Sequence, residues 1–170
     1  AVLTSLDSGV RIEGPGSGQV AILDRANTTY NVSELQNADN VTLDRLTIRG
    51  GNNGISAASG SDSDNFTISN SIITGNTNYG IFLDQTNDFS KSLGNTFLSS
   101  ATNFSLVLYG TDAVVSTNSF TGGFYDSGSV RGARSLISNN VFNAVRNGIS
   151  INNLSPAPAD RIVIRDNVYT

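Results

Sequence analysis

One six-residue pattern recurs along this chain at a step of about two dozen residues, and it limits the fold more than any other feature. The segments are LDRLTI (43–48), ISNSII (68–73), SLGNTF (92–97), VSTNSF (115–120), ISNNVF (137–142) and IRDNVY (164–169). The fourth position holds Leu46, Ser71, Asn95, Asn118, Asn140 and Asn167, so the steps by subtraction are 25, 24, 23, 22 and 27 residues. A second column keeps nearly the same step: NNGIS, NYGIF, NFSLV, SGSVR and RNGIS. Self-similarity at such a period is the signature of a solenoid.

The choice among solenoids follows from the apolar pattern. Helical repeats are longer and place apolar residues at i, i+3, i+4 and i+7, which is not seen here. Each repeat instead carries three short apolar runs of period 2, divided by Gly, Asn, Asp and Ser. Such runs satisfy their backbone by pairing with the same run one repeat away, parallel strand on parallel strand, at about 4.8 Å per turn. The expected fold is all-β: a parallel β-helix of about six to seven coils, each of 22–27 residues with three short strands. The doubled asparagines fit this plan. A tight bend between strands needs a residue that tolerates the left-handed region, which Asn does. Stacked coils then superimpose Ser71, Asn95, Asn118, Asn140 and Asn167 into a ladder of amides that donate to one neighbour and accept from the other.

These segments resemble the right-handed parallel β-helix, or pectate-lyase-like, superfamily over about Tyr30 to Thr170, with YNVSELQNADNVTLDRLTIRGGNNGI (30–55) the most typical coil. The chain reads as one domain, 1–170, with irregular opening coils over 1–39 and regular coils over 40–170, and as part of a longer protein. Strands of the first sheet are expected around Gly54–Ala57, Gly80–Leu83, Ser105–Leu108, Ser129–Gly132 and Gly148–Ile151. The loops that follow them, 58–64, 84–91, 109–113 and 152–160, vary in length, which marks the working side of a solenoid.

In the family that this chain resembles, members acting on polysaccharides work in a groove along one sheet. Alternation gives that sheet an outward stripe of Glu34, Ser56, Phe82, Val107, Arg131 and Ser150, with Ile55, Ile81, Leu106, Val130 and Ile149 turned inward. Glu34 and Arg131 then lie four coils apart, roughly 19 Å, whereas acid and base on one glycosidic bond stand about 5–9.5 Å apart. The chain has no histidine. It also lacks the Gly-His-Gly and paired aspartates of β-helical polygalacturonases, the Asp-Pro-His cluster of alginate epimerases and the calcium-binding aspartates of pectate lyases. No catalytic residue is therefore carried over.

The remaining candidates belong to contact rather than turnover. Phe82 and Tyr109 could stack on pyranose faces, with Asp84, Asp112 and Arg131 as polar partners, Asp88 leaving the same side of the coil, and Phe124 and Tyr125 further on. Asp62 and Asp64 alternate like the start of a calcium loop but lack its Gly and Glu. Turn acids in solvent are the preferred reading, so no cofactor is expected, with calcium the one weak candidate. Arg45 and Arg49 are assigned to a solvated face. Only Thr42 over Thr67 stack as an ice-binding surface would require. Sequons at Asn27, Asn31, Asn40, Asn65, Asn103 and Asn153 number about what this composition gives by chance; Asn fills about one position in eight.

Composition bounds the rest. A net charge of −4 with 10 Lys+Arg disfavours a phosphate-binding surface, so nucleic acid is not an expected partner. No apolar run approaches the ~18 residues of a membrane span. The absence of Cys removes disulfides and thiolate chemistry. The leading expectation is a non-catalytic module of an exported or cell-surface protein, bacterial in style, structural or adhesive and touching polysaccharide. Two alternatives stand beside it: a polysaccharide lyase or glycoside hydrolase, and a segment that self-associates through its last coil.

Overall fold

The computed structural model describes residues 1–16, 19–98, 103–122, 126–143, 146–151 and 161–170. Its strands form three seven-stranded parallel sheets, each built from one strand per coil. Sheet A comprises Val2–Thr4, Ser33–Gln36, Asn53–Ala57, Tyr79–Leu83, Leu106–Leu108, Asp126–Val130 and Asn147–Ser150. Sheet B follows in each coil, from Arg11–Glu13 to Val163–Arg165, and sheet C closes it, from Ala21–Asp24 to Val168–Tyr169. The chain is a parallel β-helix, as its repeat requires. Within residues 1–39 the strands Val2–Thr4, Arg11–Glu13 and Ala21–Asp24 already pair in register with the coil above them.

Alternation sorts each strand between core and surface. In sheet B the inward column runs Ile12, Leu43, Ile68, Ser92, Val115, Ile137 and Ile164. In sheet C it runs Leu23, Ile48, Ile73, Phe97, Phe120, Phe142 and Tyr169. The last four rings stack almost parallel, with centroids 4.6, 5.0 and 4.8 Å apart. Stacking at strand spacing adds roughly 0.5–1.5 kcal/mol per pair to the burial of each ring.

The corner between sheets B and C splits the work of the doubled asparagine between its two residues. The first makes the bend: Arg45, Asn70, Thr117, Asn139 and Asp166 all have φ between 50° and 59°, and Gly94 sits there at 65°. The second makes the ladder. The backbone N–H of Leu46 donates to Ser71 Oγ, that of Ser71 to Asn95 Oδ1, and so on through Asn118, Asn140 and Asn167 at 2.9–3.1 Å. Each Asn Nδ2 also donates to a backbone carbonyl of the coil below: Ile68, Ser92, Val115 and Ile137. Buried polar groups in a turn are thereby satisfied without water, which is what a turn inside a solenoid needs.

One reading from alternation, the register of the sixth sheet A strand, requires correction. The sheet A strand expected at Ser129–Gly132 is Asp126–Val130, shifted so that Gly128 pairs with both Leu106 and Ile149. The in-register outward row is therefore Glu34, Ser56, Phe82, Val107, Ser129 and Ser150, with Ser129 in place of Arg131. Gly128 occupies an inward position that Ile55, Ile81, Leu106 and Ile149 fill in other coils, so the apolar signal that would have fixed the register is missing there. Arg45 and Arg49 do lie on a solvated face, with side chains 38% and 47% exposed, and both are paired there. Arg45 binds Asp44, Glu13 and the carbonyls of Gly14 and Pro15, and Arg49 binds Asp24 at 2.8 Å. Asp44 itself is nearly buried, its side chain 4% exposed, and accepts from Ser69 Oγ and Asn70 Nδ2. Those bonds, Ser69's first, hold its carboxyl below the usual range.

Candidate functional site: the outer face of sheet A

Three neighbouring strands build the most distinctive surface among the described residues. Tyr79–Leu83 presents Phe82 outward, and Tyr79 at its first position turns its ring against Phe82, centroids 5.1 Å apart. Phe104, just before Leu106–Leu108, stacks parallel to Tyr79 at 6.4 Å. Tyr109, just after that strand, meets Phe82 edge-on at 6.1 Å. The guanidinium of Arg131 lies over the Tyr109 ring, its Cζ 4.0 Å from the centroid. A continuous run of four rings thus ends on a cation that is stacked and held in place.

Register explains why these side chains converge. Leu83 pairs with Leu108 and Leu108 with Val130, so Asp84, Tyr109 and Arg131 form the next outward row beside Phe82, Val107 and Ser129. Four of the five residues expected to contact carbohydrate, Phe82, Asp84, Tyr109 and Arg131, therefore share one patch. Asp112 does not join them. It sits at the corner to sheet B with φ 57°, and its carboxylate bonds Arg134, Nε to Oδ1 at 2.8 Å. That bond, more than any other influence, holds its carboxyl below the usual range. Asp88 is also tied elsewhere, accepting from the Thr111 backbone at 2.6 Å. Tyr79 and Phe104 escaped the sequence reading because alternation gives Tyr79 the inward phase. The signal that could have found it was NYGIF, an aromatic pair three residues apart. Phe124, Tyr125 and the 152–160 loop with its Asn153, Pro156 and Pro158 lie outside the described residues.

The electrostatics of the patch are unusual in one respect. Burial pushes the Tyr79 phenol up, nearby Tyr109 adds to this, and the positive charge of Arg131 opposes it. Ser129, 1% exposed, has an Oγ without a hydrogen-bond partner, and Arg131 Nε is likewise buried and unpaired. Asp84 spends one oxygen on the backbone N–H of Gln85 at 2.8 Å. Glu34, lower on the sheet, bonds Asn31 Nδ2 at 3.1 Å and Gln36 Nε2 at 3.3 Å.

Of the two aspartates read as a possible calcium loop, Asp64 belongs to a ladder and Asp62 does not. Asp39 Oδ1 accepts the backbone N–H of Asp64, and Asp64 Oδ1 that of Asp88, at 2.9 and 2.8 Å. Burial, helped by the charges of Asp62, Asp88 and Asp39, raises the Asp64 carboxyl pKa, and its bond to Asp88 works against this. Asp62 donates its backbone N–H to Asn37 Oδ1. Among the described residues no group of three or more His, Cys, Asp or Glu is placed to hold a metal ion. No helix among the described residues is long and apolar enough to cross a membrane.

Stacked three-strand coils with an amide ladder at the second corner make this chain a parallel β-helix. A solved protein of similar architecture is the alginate lyase from Paenibacillus sp. str. FPU-7, with a TM-score of 0.55 at 13% identity, over 99% of this chain and 87% of that one. The sequence matches no protein-family model and no curated protein. At that identity the likeness is one of fold.

Proposed function

We propose that this protein is a non-catalytic β-helical module that contacts polysaccharide through the outer face of sheet A, and that it works outside the cell or on its surface. The observation that carries the reading is the ring run Tyr79, Phe82, Phe104 and Tyr109 closed by Arg131. The four rings are half-buried; what they leave open on a rigid sheet can stack on pyranose rings at little entropic cost, and a stacked guanidinium supplies directional donors beside them. The non-catalytic part rests on how the acids are used. Asp84 caps its own turn, Asp112 is paired with Arg134, and Glu34 is bonded to Asn31 several strands below Arg131. The chain also lacks histidine, the commonest acid/base side chain.

The test is calorimetric titration with a panel of acidic and neutral polysaccharides, run beside an assay for new reducing ends and unsaturated sugar. Saturable binding that Tyr109→Ala weakens, with no product formed, is the expected result. Turnover lost on Asp84→Ala would replace this reading with the second one, a polysaccharide lyase. That alternative is favoured by the alginate lyase of similar fold and by a phenol, Tyr79, that lies in the field of the Arg131 cation. Self-association through the exposed strands Val163–Arg165 and Val168–Tyr169 is a separate proposal. Light scattering that shows a monomer at every concentration removes it.

A further inference from the structure

We infer that the corner between sheets A and B is a self-complementary surface on which a second copy of this chain docks side by side and antiparallel, about a two-fold axis next to Phe89. One column of corner residues carries the argument, one from each of six successive coils: Asn40, Asn65, Phe89, Asp112, Arg134 and Arg161. All six have φ between 57° and 62°. Five steps of about 4.8 Å make the column roughly 24 Å long. Charge is divided along it. The lower coils bring Asp39, Asp62, Asp64 and Asp88, and among the described residues none of these four forms an ion pair. The upper coils bring Arg134 and Arg161, which both act on one acid, Asp112.

A strip with unlike ends complements itself when turned end for end, which is the geometry of a two-fold contact. With the axis between the coils of Phe89 and Asp112, Asp62 and Asp64 of one copy face Arg134 of the other, and Asp39 faces Arg161. The lower acids gain most, because they repel one another: Asp62, Asp88 and Asp39 all push the Asp64 carboxyl upward. Phe89 marks the axis. A bulky residue in the left-handed region is an outlier held there at a cost, and the ring is 44% exposed, at a bend that Asn40 and Asn65 make in lower coils. In the dimer the two Phe89 rings lie about one strand spacing apart along the corner and cover each other. Ring burial supplies the attraction that exposed ion pairs alone do not, while the charges set orientation. A corner is narrow, so the dimer is a weak one. It carries two copies of the sheet A patch.

The test is sedimentation velocity on the full chain from roughly 10 μM to 1 mM, in about 0.05 M and about 0.5 M salt. A reversible monomer–dimer equilibrium is expected, its Kd about tenfold weaker at the higher salt. Asp62→Arg should weaken the dimer about tenfold at low salt. The fold keeps what it uses there, since Asp62 contributes only its backbone N–H to Asn37. Phe89→Asn should weaken the dimer at least as much and yet raise the melting temperature of the monomer, because the strained backbone is relieved. Where Phe89→Asn folds poorly, Asp62→Arg and the salt dependence decide. Association that neither variant nor salt changes, or that grows past the dimer, overturns the inference and belongs to the end strands Val163–Arg165 and Val168–Tyr169 instead. A monomer at every concentration in low salt overturns it outright.

Discussion

Asn118 sits at the centre of the amide ladder, and its replacement by Ala is the perturbation whose cost follows most directly from the geometry. Its Oδ1 accepts from the Asn95 backbone N–H at 2.9 Å, from Asn95 Nδ2 at 3.1 Å and from Ser92 Oγ at 3.1 Å. Its Nδ2 donates to the Ser92 carbonyl at 2.8 Å and to Asn140 Oδ1 at 3.0 Å. Truncation leaves the Asn95 N–H and the Ser92 hydroxyl buried without this acceptor, while Asn95 Nδ2 keeps Ile68 O and Ser92 Oγ. Two such donors at about 1–3 kcal/mol each, with a small void added, make a loss of about 3–5 kcal/mol. Asn167→Ala removes the same kind of group where water can reach, and should cost about 1 kcal/mol. Urea denaturation followed by far-UV circular dichroism measures both, and a constant m-value confirms that the solenoid still unfolds as one unit. Equal costs for the two variants would refute the idea that the ladder is a dry, mutually satisfied network.

Three further outcomes follow from the corner between sheets A and B. Asp64 has a raised carboxyl pKa, so its protonated form is favoured in the folded state. The stability it contributes is present at low pH and lost as pH rises through the folded value. Asp64→Asn, which keeps the acceptor for the Asp88 N–H, should therefore raise the melting temperature at pH 7 and lose that advantage near pH 3. Asp112, lowered by Arg134, has the opposite sign: its contribution is present above the ordinary carboxylate pKa and fades as pH falls through the folded value. Phe89 adopts φ 58° while 44% exposed, at a corner position that Asn40 and Asn65 fill in other coils. Phe89→Asn should stabilise the protein by about 0.5–1 kcal/mol in the same urea assay; a loss would mean that the ring has packing not accounted for here.

The fold was legible because the signals that set it are local and repeated. Every coil spells its sheet B and sheet C strands around the Asn bend, so six copies overrule the weak ones, such as Ser92 standing in an apolar column. The candidate site was only half legible. Phe82 and Tyr109 follow from alternation, but Ser129 does not, because Gly128 interrupts the inward column that would have anchored the count. The partner of Asp112 was also beyond reach: corner residues leave the period-2 rule, and a left-handed backbone at Asp112 and Arg134 aligns those two side chains with each other. Tyr79 was hidden for a related reason, since the first residue of a strand is not yet committed to either face.

With no tryptophan in the chain and two of its five tyrosines, Tyr79 and Tyr109, in the patch, intrinsic tyrosine fluorescence includes a signal from it. Titration with acidic polysaccharide should change that emission saturably, and Phe82→Ala/Tyr109→Ala should abolish the binding measured in parallel by calorimetry while leaving the circular dichroism spectrum unchanged. Undiminished binding by that double variant, or a flat titration of the unmodified protein, would contradict the assignment of sheet A as the contact face.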